Sequence, residues 1–188
     1  MRTKAILGIW VLSMCACSGA SQGTSTETAP AESHTPSGPI TGNVNDLQGH
    51  CTAEEKPIFS CRLTGSGDGR VLSVCASEDL SASSGYVQLR DGPPNAPEFT
   101  HPSGQQGTQQ AFVYASAAGE GTSSITLKAD NAQHPGGWTR YEIVSESTGS
   151  GHQYKLVRSN GSNTEEAVCQ SPVVDRLMQL QNVVRQEH

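Results

Sequence analysis

The chain has 188 residues, a formal net charge of −6, and only 34% apolar and 5% aromatic residues. An acidic chain does not suit nucleic acid, which is recognised by clustered basic side chains, so no nucleic-acid partner is expected. The apolar and aromatic content is thin for a core, which gives weight to the six cysteines.

Arg2 and Lys4 form a short basic start, followed by the apolar stretch Ala5 to Met14. A helix crossing a hydrocarbon core of ~30 Å needs about 20 apolar residues, so this shorter stretch reads as the core of an export signal. Met14-Cys15-Ala16-Cys17 resembles the box of bacterial lipoproteins, in which a small residue precedes an acylated cysteine. Ala16 suits that position before Cys17, whereas bulky Met14 before Cys15 does not. The resemblance implies a signal peptide over 1–16, a lipid (palmitate) on Cys17, and a membrane as partner through that lipid. A plain secretory signal, cut after Ala20, is the alternative. Ser18, where Asp would favour retention at the inner membrane, implies an outer-membrane anchor facing the periplasm.

Residues 1–16 hold two basic residues and no acid, so the mature chain carries about −8 by formal count. Residues 17–48 are dominated by Ser, Thr, Gly, Pro, Ala and Glu. Such a composition cannot bury enough surface to offset its ordering entropy, so the segment is read as a tether. Its ~30 residues would span roughly 30 Å as a flexible chain and about 100 Å fully stretched.

Residues 49–188 suit one domain. Apolar and polar residues alternate with period two through Phe59-Cys61-Leu63, Leu72-Val74-Ala76, Val87-Leu89, Phe112-Tyr114, Ile125-Leu127-Ala129, Tyr141-Ile143, Tyr154-Leu156 and Val168-Cys169. Glycine and polar turns separate these runs, notably Ser66-Gly67-Asp68-Gly69, Asp91-Gly92-Pro93-Pro94 and Asn160-Gly161. Eight or so short strands predict an all-β domain, an antiparallel sandwich or barrel. A C-terminal amphipathic helix over 172–185 is predicted last. Ser171 would cap it, Pro172 would stand at its first turn, and Val173, Leu177, Leu180 and Val184 would form its apolar stripe.

Cys51, Cys61, Cys75 and Cys169 are an even set in an exported chain and are expected as two disulfides. A turn centred between Gly67 and Asp68 would place Cys61 opposite Val74, so Cys61 and Cys75 would face opposite sides of the sheet. The favoured pairing is then Cys51–Cys61 with Cys75–Cys169, and the alternative is Cys51–Cys75 with Cys61–Cys169.

No motif assigns a chemistry. The cysteines lack the close Cys-x-x-Cys pair of zinc sites, and His101, His134 and His152 stand apart, so no metal or cofactor is expected. Gly-x-Ser-x-Gly does not occur, and Gly65 to Gly69 lacks the Gly-Lys-Ser/Thr of a phosphate loop. Glu54-Glu55 and Glu165-Glu166 are read as solvated charges, because adjacent residues of a strand face opposite ways. Trp138, Arg140 and Tyr141, just beyond Pro135-Gly136-Gly137, are the binding candidates, since Trp, Tyr and Arg dominate recognition surfaces.

Residues 51–100 resemble a segment of exported proteins of Gram-negative bacteria. The resemblance rests on Cys51, Glu54, Pro57 to Cys61, Val71, Ser73 to Ser77 and Gly85 to Gly92. It implies compartment and fold, and no activity. The expected function is a lipid-anchored envelope protein with a non-catalytic β domain that binds a protein or other envelope partner. An immunity or inhibitor protein against a toxin or lytic enzyme is the alternative. An envelope hydrolase would require at least two of the three histidines and a carboxylate in one pocket.

Overall fold

The computed structural model describes residues 49–65 and 69–187. The predicted signal peptide, Cys17, the predicted tether and residues 66–68 of the first hairpin therefore lie outside the described residues. The domain is almost entirely β, as its alternating runs predict. Its strands are β1 (Glu55–Thr64), β2 (Val71–Ser77), β3 (Val87–Gly92), β4 (Phe99–His101), β5 (Phe112–Gly119), β6 (Thr122–Asp130), β7 (Arg140–Thr148), β8 (Gly151–Ser159), β9 (Thr164–Asp175) and β10 (Arg185–Gln186). They form one sheet in the order β10-β5-β6-β7-β8-β9-β1-β2-β3-β4. All neighbours are antiparallel except β10, which runs parallel to β5.

One face of this sheet carries the apolar half of each alternating strand. Phe59, Cys61, Leu72, Val74, Leu89, Phe112, Leu127, Ile143 and Leu156 all lie there and are buried. A single sheet can bury such a face only against something else, and here it buries it against itself. Phe99 of β4 stacks on Tyr141 of β7 with ring centroids 5.2 Å apart, and His101 of β4 meets Phe112 of β5 at 6.2 Å. These strands stand far apart in the sheet order, so the contacts require the sheet to curl into a half-barrel. Residues 102–111 cross the seam between its edges. There Gln88 donates to the Pro102 and Gly104 carbonyls, the Val87 amide donates to Thr108 Oγ1, and Gln109 donates to the carbonyls of Ser81, Ser84 and Gly85.

The predicted C-terminal helix is not formed. Residues 171–175 belong to β9, which after an irregularity past Gln170 pairs again with β1, Val174 opposite Ser60 and Asp175 opposite Phe59. A single 3₁₀ turn (Leu177–Leu180) follows, then β10. The apolar stripe is real, but Leu177 and Leu180 enter the core at the three-residue repeat of a 3₁₀ turn. Pairing with β1 outweighs the local helical pattern of Val173 to Val184.

The disulfides are Cys51–Cys75 and Cys61–Cys169, so the favoured sequence pairing is corrected to its alternative. Cys61 lies opposite Leu72, not Val74, which leaves its parity unchanged. Cys61 and Cys75 do face opposite sides. Inside the curl, Cys61 reaches Cys169 on β9. On the outside, Cys75 reaches Cys51. The closed loops, with sequence separations of 24 and 108, imply about 3–5 kcal/mol each in the chain-entropy account.

On that outer side, residues 49–55 are clamped to β1–β3. The His50 amide donates to Ser73 Oγ, its Nε2 lies 3.0 Å from the Val71 carbonyl, and Arg90 donates to the His50 carbonyl at 2.8 Å. The Arg90 guanidinium also grips both oxygens of Glu55 at 2.7 Å, and Tyr86 and the Thr52 amide donate to the same carboxylate. Glu55 is buried, so reading both acids of Glu54-Glu55 as solvated is wrong for Glu55. Gly49 (φ +59) sits so close that a Cβ would lie 2.2 Å from Ser60 Oγ and Ser73 Oγ. Removing one partner of a buried ion pair leaves the other uncompensated. Arg90→Ala is therefore expected to cost about 3–5 kcal/mol in guanidinium unfolding with both disulfides intact. A loss below 1 kcal/mol would show that the clamp does not contribute to the fold.

Candidate functional site

One end of the half-barrel gathers its charged interior groups. Tyr141 and Arg158 occupy one rung of β7–β8, and Glu165 of β9 lies opposite Arg158. Asp91 of β3, with no exposed surface, faces them across the curl: its Oδ2 lies 3.5 Å from Arg158 Nη1, and its Oδ1 accepts from Arg70 Nε at 3.0 Å. Arg70 in turn donates to Glu98, and Arg158 donates to Glu165 at 2.6 Å. Asp91 thus ties β3 to β8 through Arg158 and to the first hairpin through Arg70, and each guanidinium is shared with a second carboxylate.

The loop from 131 to 139 covers this cluster. Its backbone is drawn tight by the bonds Ala132 N to Thr139 O, His134 N to Trp138 O and Gly137 N to His134 O. Trp138 lies over the Arg158 guanidinium at 5.7 Å, a cation–π contact. His134 meets the Phe99 ring edge-on at 4.8 Å and packs against Tyr141. Tyr141 is fully buried, so as a surface binding residue it is corrected: it belongs to the core. Its hydroxyl lies near Arg158 without a hydrogen bond of normal geometry, and burial pushes its pKa well above the ordinary phenol value.

The next rung of the same strands points outward. Asp130, Arg140, Ser159 and Thr164 stand opposite one another across β6, β7, β8 and β9. With Asn131, Thr139 and Gly161 they line a groove of about 570 Å³. Arg140 is exposed and donates to Asp130 at 2.7 Å. The rim is preset by backbone: Asn131 holds φ +57, and Asn160 Oδ1 accepts from the Ser162 and Asn163 amides. Of the three candidates, then, Arg140 reaches an open groove, Trp138 braces the wall behind it, and Tyr141 fills the core beneath. Asp130, Ser159 and Thr164 carried no signal of their own; their common rung emerges only from the strand register.

The histidines are not gathered. His101 and His134 flank Phe99, while His152 is exposed at the opposite end, stacked on Tyr154. A smaller cavity there, about 220 Å³, places Ser145, Ser147, His152 and Asp175 together. Its bonds do not follow a nucleophile–base–acid order: Asp175 accepts from Ser145 Oγ and from the Leu177 amide. Among the described residues, no three His, Cys, Asp or Glu side chains could share a metal ion, and no helix is long and apolar enough to cross a membrane. No protein family, curated protein or solved structure matches the chain.

Burial lowers the pKa of His50, His101 and His134 below 6.5, so each binds a proton more readily when unfolded. For Glu55, burial acts upward, but the bonds from Arg90, Thr52 and Tyr86 outweigh it and hold the pKa below 4.5. Both effects have the same sign. Between pH 8 and pH 4, stability should be full above pH 6.5, decline below it as the histidines protonate, and decline again below pH 4.5. Urea midpoints between pH 8 and pH 4 read this directly, and a flat profile would contradict it. Tyr141→Phe removes only a poorly bonded hydroxyl and should shift stability by less than about 1 kcal/mol, whereas Tyr141→Ala should cost about 3–5 kcal/mol.

Proposed function

We propose that the chain is an exported lipoprotein, anchored through Cys17, whose β domain binds a partner in the cell envelope. The observation that carries the binding reading is the outward groove at Asp130–Thr164. It is built on four paired strands, rimmed by preset turns, and as large as sites for small ligands, about 300–1,000 Å³. Two disulfides support an oxidising compartment, because such bonds persist outside the reducing cytosol. The export signal and the box ending at Cys17 supply the address. The stretch from Ser18 to the clamp at Gly49 gives the domain reach from the lipid.

Two measurements test this reading. Labelled palmitate should enter the wild-type chain and not Cys17→Ser, and the variant should leave the membrane fraction. Crosslinking of the intact chain in envelopes, followed by stringent purification, should recover one partner in a fixed ratio. Labelling that persists in Cys17→Ser would refute the anchor, and recovery of no partner would refute the binding role.

A further inference from the structure

The groove's chemistry narrows its ligand, on the premise that it is a binding site. Seven residues line it: Asp130, Asn131, Thr139, Arg140, Ser159, Gly161 and Thr164. None is a large apolar side chain, so a greasy ligand would be desolvated without compensation. The two charged members, Asp130 and Arg140, pair with each other at 2.7 Å, leaving the lining neutral by formal count. A free anion or cation would therefore meet the opposite charge of the pair beside its own partner, and no net attraction. What remains is a row of short hydroxyl, amide, carboxylate and guanidinium groups on neighbouring strands, spaced about 4.8 Å apart. Such a row offers donors and acceptors side by side, as the vicinal hydroxyls of a sugar ring do. The ion pair can serve both at once, since the carboxylate accepts from one hydroxyl while the guanidinium donates to the next. Gly161 (φ +83) leaves open space where a side chain would stand, and Trp138 on Arg158 stiffens the adjoining loop.

We infer that this groove binds a neutral, hydroxyl-rich saccharide, with Asp130 and Arg140 as the central pair and Asn131, Ser159 and Thr164 beside them. The negative charge of the whole chain agrees with this choice over a polyanionic glycan.

The test uses the full acylated chain in a detergent without sugar groups. Saturation-transfer NMR and calorimetry are run with N-acetylchitotriose and maltotriose, and with a sulfated heparin hexasaccharide as the anionic control. Saturable binding of a neutral trisaccharide is expected, with no binding of the sulfated one. Thr164→Trp, which fills the groove from an exposed position, and Asp130→Asn should each weaken binding at least tenfold. Unchanged melting temperatures would establish that both variants are folded. Binding of neither neutral trisaccharide, binding of the sulfated probe alone, or equal binding by wild type and Thr164→Trp would overturn the inference. If the crosslinked partner is then a protein, and Thr164→Trp still recovers it, the binding role stands without the saccharide. If no partner is recovered either, both fall.

Discussion

A ten-stranded sheet with one apolar face must close on itself or find a cover, and Asp91 stands where this one closes. Its carboxylate draws Arg158 from β8 and Arg70 from the end of the first hairpin toward β3. Next to it, Phe99 stacks on Tyr141. The polar contact fixes which strands meet, and the aromatic contact excludes water from the meeting. Buried ion pairs of this kind add less to stability than their Coulomb attraction suggests, because desolvation offsets most of it. Their larger effect here is on register: a one-residue slip of β3 would turn Asp91 outward and bring Arg90 into the apolar interior.

The same closure accounts for the outward groove. Once Tyr141, Arg158 and Glu165 are committed to the interior, the next residues on their strands must point out. Arg140, Ser159 and Thr164 are thus aligned by the interior behind them. Trp138 belongs to both layers, through its contact with Arg158 and its place in the loop beside the groove. A substitution in the buried cluster would consequently be felt at the groove without touching it.

Strand identity was legible because alternation is a local property, and Phe59, Leu72, Leu89, Leu127 and Ile143 all fall on the buried face that alternation assigns them. The opposite orientations of Cys61 and Cys75 were legible for the same reason. Long-range partners were not. Arg90 lies 35 residues from Glu55, and nothing near either residue announces the other. Cys51 could be paired only once the clamp placed it against the outer face of β2. The helix over 172–185 was misread because the spacing of Val173, Leu177, Leu180 and Val184 suits a helix in isolation. In the protein, 171–175 continue the strand β9, and the backbone of Val174 to Arg176 is already engaged by β1. The groove was half visible, through Arg140 alone.

The sheet order contains two uninterrupted meanders, β1–β4 and β5–β9. Within each, strands pair with their sequence neighbours across short turns, which costs little chain entropy. Only β1 with β9 joins them side to side, and Cys61–Cys169 lies at that junction, closing a separation of 108 residues. The molecule is therefore two local units and one distant weld. Contacts of short sequence separation can form early in each unit, while the weld must wait for both. Oxidation of Cys61 with Cys169 makes that most distant encounter permanent, so the two meanders stay joined along β1 and β9 even where the hydrogen bonds around the bridge open.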